Sequence, residues 1–118
     1  MAKKESETTI SKSIRDALTA LGIWNIRIQS GMLKIGNRFV HLAPKGTADV
    51  LLPSYDGKGR CGWLEIKTES GTVSEDQLKF QDKCTQLNVK SAIVRSASEA
   101  IETVKNWVKE DKNGNQAT

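Results

Sequence analysis

The chain reads as an α/β protein with a mixed central β-sheet flanked by helices. Three observations predict this. Apolar residues recur at helical spacing near both ends and around residue 80. Short apolar runs bounded by turn formers lie between them. One further run is reached only through a helix, so it can lie parallel to its neighbour, while tightly connected strands run antiparallel. At 118 residues the chain makes one domain, expected over 1–112, with a polar tail over 113–118.

Taken in order, Ile10, Ile14, Leu18 and Leu21 form the stripe of a first helix, capped by Ser6 or Thr8 and ended by Gly22. Ile23 to Ile28 reads as a strand that stops at Ser30-Gly31. Met32–Ile35 and Arg38–Leu42 flank Gly36-Asn37, a two-residue hairpin signal. Ala43 to Thr47 is a loop leading into a buried strand that begins at Asp49. In that loop Gly46 permits either a turn or a close backbone approach to a phosphate. Pro53 to Arg60 is a polar loop, and Trp63 to Lys67 is the next strand. Beyond the Thr68–Gly71 loop, Ser74-x-x-Gln77 is a capping box. The helix it opens carries Leu78, Phe80, Gln81, Cys84 and Leu87 and closes at Asn88. Ala92 to Arg95 is a buried strand. The last helix starts over Ser96–Glu99 and presents Ile101, Val104, Trp107 and Val108 to the core, as Trp24 and Trp63 are also expected to do.

Composition narrows the function classes. No apolar run is long enough to span a membrane and no signal-peptide pattern opens the chain, so the expectation is a soluble, cytoplasmic protein. Cys61 and Cys84 lack metal-ligand spacing, which argues against zinc and for reduced thiols packed against the core. The single histidine, His41, has a structural reading. The formal charge is +4, and its distribution says more than its size. Between Trp24 and Trp63 stand Arg27, Lys34, Arg38, Lys45, Lys58 and Arg60 against only Asp49 and Asp56. A basic surround about an acidic centre is what a polyanionic substrate requires.

That centre is the Trp63–Lys67 stretch read with Gly46–Leu52. Side chains alternate along a strand, so Glu65 and Lys67 share one face while Leu64 and Ile66 take the other. Asp49, on a neighbouring strand, brings a second carboxylate to the same place. Two carboxylates and a lysine suit a hard cation such as Mg²⁺ or Mn²⁺ together with a phosphodiester. Taken alone, Glu65-x-Lys67 reads more readily as a salt bridge on a half-exposed strand, Gln77 as a cap, and Glu7 as a favourable charge at a helix start.

The ordered set resembles the PD-(D/E)XK nuclease superfamily, and within it the VRR-NUC family. The matching residues are Glu7 (with Glu5 two positions away), Arg27 and Ser30-Gly31, and Gly46-x-x-Asp49. After these come Glu65-Ile66-Lys67, Ser74-x-x-Gln77 with Phe80, and Val94-Arg95-Ser96, so the match runs from about Glu5 to Trp107. Ala48 replaces the proline of the superfamily's name, and Ser96 replaces the second arginine of the family's signature. The resemblance implies a restriction-endonuclease-like core and metal-dependent hydrolysis of DNA. Asp49, Glu65 and the backbone carbonyl of Ile66 would hold Mg²⁺ or Mn²⁺. Lys67 would position or deprotonate the attacking water, and Glu7 would hold a metal-bound water or a second ion. Gln77 would orient Lys67 or touch the scissile phosphate. Arg27, Lys34, Arg38 and Lys45 are the expected DNA contacts, and Arg95 either joins them or ends a strand.

Small stand-alone members of that family resemble phage or prophage proteins that cut four-way (Holliday) junctions as homodimers. Two symmetric cuts need two sites related by a twofold axis, and one small chain carries one. A flap, nicking or restriction-like nuclease is the alternative. A non-catalytic DNA-binding module is a third reading, which the intact Asp, Glu and Lys set opposes.

Overall fold

The computed structural model describes residues 6–29 and 31–116, with side chains as far as Asn113, so Glu5, Ser30 and the last two residues lie outside the described residues. In chain order these form α1 (Glu7–Ala20), β1 (Ile26–Arg27), β2 (Met32–Ile35), β3 (Arg38–His41), β4 (Val50–Leu52), β5 (Gly62–Ile66), α2 (Glu75–Gln86), β6 (Lys90–Val94) and α3 (Ala97–Gln116). The central sheet has the order β1-β4-β5-β6. Antiparallel pairs join β1 to β4 and β4 to β5, and β6 runs parallel to β5 after the α2 crossover.

Alternation along β5 sets the layers. Leu64 and Ile66 enter a core shared with Ile10, Ile14 and Leu18 of α1 and with Ala100, Val104 and Trp107 of α3. Each fully buried leucine or isoleucine there contributes about 1.5–3 kcal/mol. On the other face Trp63 meets the Phe80 ring of α2 edge-on, with centroids 5.3 Å apart. The sheet is therefore sandwiched between α1 with α3 and the shorter α2. Ser6 caps α1, its Oγ accepting from the Thr9 amide at 3.1 Å.

The end of the sheet away from Asp49 is clasped to α3. Gly62 leaves room for the Trp107 indole, since a Cβ there would lie 2.7 Å from the ring. Tyr55 packs edge-on against Trp107 and donates its hydroxyl to Asp111, which also takes Arg60 at 3.1 Å. Burial and the Asp111 carboxylate push the Tyr55 phenol up. Burial alone would raise Asp111 too, but its bonds to Tyr55 and Arg60 outweigh that and hold it low.

Several expectations are corrected. The β2–β3 hairpin forms around Gly36-Asn37 in the expected register, but it is a separate two-stranded sheet, exposed on every residue. β1 shrinks to two residues because Asn25 turns its Nδ2 to Ile23 O and Thr19 Oγ1, folding residues 23–25 back onto the end of α1. Trp24 is 64% exposed rather than core. Leu78 and Leu87 are exposed and only Cys84 of α2 is buried, because α2 covers little more than β6. Cys61 is exposed, and both cysteines are free. The helix α3 continues to Gln116, four residues into the expected tail, since polar residues on a solvated helix do not by themselves stop it. No described helix is long and apolar enough to cross a membrane.

Candidate active site

The antiparallel register pairs Val50 with Leu64, so Asp49, one residue earlier, stands opposite Glu65, one residue later. Asp49 is fastened on both sides. Its carbonyl accepts from the Ile28 amide at 2.7 Å, and its Oδ2 accepts from the Ile66 amide at 2.7 Å. The acid at the start of β4 therefore grips the end of β5, and the two strands deliver both carboxylates to one spot. Ala48 beside it is fully buried.

Glu65 is 2% exposed, the one charged residue in the core among the described residues. Its Oε1 accepts from Gln77 Nε2 at 2.6 Å and lies 3.7 Å from Lys67 Nζ. Among the described residues its Oε2 is buried without a hydrogen-bond partner. Burial first, and the facing Asp49 carboxylate second, push Glu65 up to about 8, with Lys67 offsetting part of the effect. Lys67 is held by its own amide, which donates to Val94 O at 3.1 Å, as β5 leaves the sheet beside β6.

Gln77 does two jobs. Its Oε1 accepts from the Ser74 amide at 2.9 Å, completing the capping box, while its Nε2 holds Glu65. It thus orients the Glu65 carboxylate. Glu7 opens α1 and lines a cavity of about 210 Å³ with Thr8, Ser11, Arg27, Asp49 and Ile66. Thr8 and Ser11 were not anticipated, although positions 7, 8 and 11 share a helix face and flag the pair. A second groove, of about 490 Å³, opens on the other side of Asp49, lined among others by Met32, His41, Lys45 and Gln77. The two hollows flank the acidic centre.

The remaining basic residues divide. Arg27 lies at the first hollow and Lys45 at the second, the latter 3.4 Å from Asp76. Lys34 and Arg38 stand on the exposed hairpin. Arg95 follows β6, and its Nη1 donates to the carbonyls of Thr68 at 2.6 Å and Gly71 at 2.8 Å, pinning the loop that follows Lys67. Gly46, at φ +88°, also answers its question. A Cβ there would lie 2.3 Å from the Asp76 carbonyl, so the glycine admits the backbone of α2.

The donor set fits a hard divalent cation. Two carboxylates and the Ile66 carbonyl offer oxygen only, and among the described residues Oε2 of Glu65 is a buried oxygen left without a hydrogen-bond partner. Among the described residues no cluster of three or more His, Cys, Asp or Glu side chains closes on one point, with Glu7 at the cavity wall rather than in contact. A divalent cation held by these oxygens would keep waters or take phosphate oxygens, as Mg²⁺ commonly does.

No protein-family model matches the sequence, and no curated protein does. The fold, however, is similar to a solved structure titled "VRR_NUC domain". The TM-score is 0.58 at 20% identity, covering 84% of this chain and 94% of that one. The chain therefore has the fold of a VRR-NUC domain: a mixed central sheet flanked by helices, with Asp49, Glu65 and Lys67 gathered at one end of β4 and β5.

Proposed function

We propose that the protein is a divalent-metal-dependent endodeoxyribonuclease that resolves four-way DNA junctions as a homodimer. Glu65 carries the reading. A carboxylate buried to this degree, facing another carboxylate and keeping one oxygen unpartnered, is costly unless a cation or proton joins it. Bound Mg²⁺ or Mn²⁺ would be held by Asp49, Glu65 and the Ile66 carbonyl, and would supply Lewis acidity and a more acidic water.

This chain's own residues do the rest. Gln77 fixes the rotamer of Glu65, so that Oε2 stays available. Asp49 ties the two strands together through the Ile66 amide. Lys67, its Nζ 3.7 Å from Glu65 Oε1, has N–H groups to orient an attacking water or to meet a phosphate oxygen as charge develops. Arg27 and Lys45 flank the centre and attract the phosphate backbone. Glu7 lines the same cavity, where it would hold a water of a bound cation or contribute to a second ion. For dimerisation, the support is one site per chain and the exposed apolar row Leu33, Ile35, Val40 and Leu42.

The test is cleavage of a labelled four-way junction beside duplex, flap and single-stranded controls, with Mg²⁺, Mn²⁺ or EDTA, for wild type and Lys67→Ala. Paired symmetric cuts that need metal and vanish in the variant support the whole reading. Cutting confined to flaps or duplex keeps the nuclease and removes junction resolution. Binding in EDTA with no cutting of any substrate identifies a non-catalytic DNA-binding module.

A further inference from the structure

We infer that the β2–β3 hairpin is a strand-guiding arm whose Phe39 face stacks an unpaired nucleotide of the DNA strand lying in the groove beside Asp49. This deepens the nuclease reading of the site and rests on it.

The hairpin's register makes its two faces chemically different. Leu33 pairs with Val40 and Ile35 with Arg38, giving one face that is mostly aliphatic. Met32 pairs with His41 and Lys34 with Phe39, giving the other face an aromatic ring directly opposite a cation. Met32 and His41 of this second face also line the groove that contains Asp49 and Gln77. The Phe39 face is thus continuous with the candidate active site, and the aliphatic face points away from it.

Charge fits the same occupant. No Asp or Glu stands between Asp16 and Asp49, while Arg27, Lys34, Arg38 and Lys45 do. A surface of this sign next to a phosphodiester-cutting centre favours a polyanion over a protein partner of mixed charge. Phe39 is 62% exposed, and Lys34 Nζ stands 5.9 Å from its ring centroid, a long contact that a base can displace. Once displaced, the ammonium is placed to meet the phosphate of the nucleotide whose base covers the ring. Aromatic side chains among cations that track the backbone are how single strands are held, and such stacking needs a base that is not stacked within a duplex. The arm therefore favours substrates with unpaired nucleotides next to the cut, as at a branch point.

The test is fluorescence anisotropy in EDTA with a labelled oligothymidylate and a duplex of equal length. Phe39→Ala and Phe39→Leu are both expected to weaken binding to the single strand about tenfold, with duplex affinity changed less than about twofold. Phe39→Trp restores single-strand affinity and adds an indole quench on binding. Lys34→Ala lowers the salt dependence on the single strand by about one phosphate contact. Unchanged single-strand affinity in both ring-loss variants, or equal loss on single strand and duplex, overturns the inference. Circular dichroism on the same preparations confirms that the exposed substitutions fold. Wild-type cutting in Mn²⁺, run in parallel, reads the nuclease assignment separately. Cutting with a Phe39-insensitive affinity sinks the arm alone, and a Phe39-dependent affinity with no cutting sinks the nuclease alone.

Discussion

Replacing Glu65 by glutamine removes a titratable group from the middle of the fold while leaving the shape almost unchanged. The amide oxygen can still accept from Gln77, now 2.6 Å from Oε1, so the hydrogen bond that fixes the side chain survives. In EDTA, Glu65 is held near 8 in the folded protein against an ordinary value of 4.5. A folded-state value above the unfolded one means the native state keeps a proton that the unfolded chain has lost. This contribution to stability is fully present below about pH 4.5, shrinks as the pH rises, and is gone above about 8. At 1.36 kcal/mol per pH unit the ceiling is about 5 kcal/mol, and water entering the cavity together with the Lys67 ammonium lowers it; about 2 kcal/mol is the expected effect. The assay is urea denaturation of wild type and Glu65→Gln in EDTA at a series of pH values. Wild type should lose stability relative to the variant between pH 5 and pH 8, and the difference should then level off. Saturating Mn²⁺ at pH 8 should stabilise wild type and leave the variant unmoved. Parallel stability curves across the whole pH range would refute the argument, because a carboxylate that does not hold its proton in the fold gives no such divergence.

Three further outcomes are expected. Arg95→Ala should free the Thr68–Gly71 loop, costing about 1–3 kcal/mol for the lost charged hydrogen bonds, and Arg95→Lys should rescue little of it; hydrogen exchange at the loop amides, with denaturation midpoints, checks both. Gly46→Ala should cost about 2 kcal/mol or more, because the new methyl meets the Asp76 carbonyl and the backbone is left-handed there; thermal denaturation of the variant gives the comparison. Tyr55→Phe should cost about 1 kcal/mol through the lost bond to Asp111, while Asp111 keeps Arg60; the reduction should appear equally with and without Mn²⁺, since the clasp lies at the far end of the sheet.

Much of the site was legible because it is written in local rules. The alternation that sets Glu65 and Lys67 on one face, the box from Ser74 to Gln77, and the hairpin about Gly36-Asn37 each need only a few residues to specify. The parallel placement of β6 followed from its helical crossover. What could not be read is tertiary. Leu33 with Ile35, and Val40 with Leu42, alternate as a half-buried strand would, yet nothing in their spacing tells whether a sheet or solvent receives them. Trp24 looked like core on the same grounds and was turned outward by the Asn25 bonds. Arg95 bonds to main-chain carbonyls, which any residues supply, so its partners leave no sequence trace. Gln77 was visible as a cap, but its second bond depends on how α2 approaches β5.

That second bond changes which residues position 77 can tolerate. A capping box works with glutamate or glutamine, since either offers an oxygen to the N-cap amide. Here the oxygen is already turned to Ser74, and the remaining atom must be a donor because it faces a carboxylate. Glutamate would cap the helix equally well and set a third negative charge against Glu65. A library at position 77 screened for helix stability alone would keep both residues, and one screened for cation binding would keep glutamine. The start of α2 is thereby mechanically joined to the cation pocket: unwinding its first turn releases Glu65, and filling the pocket should slow amide exchange along that turn.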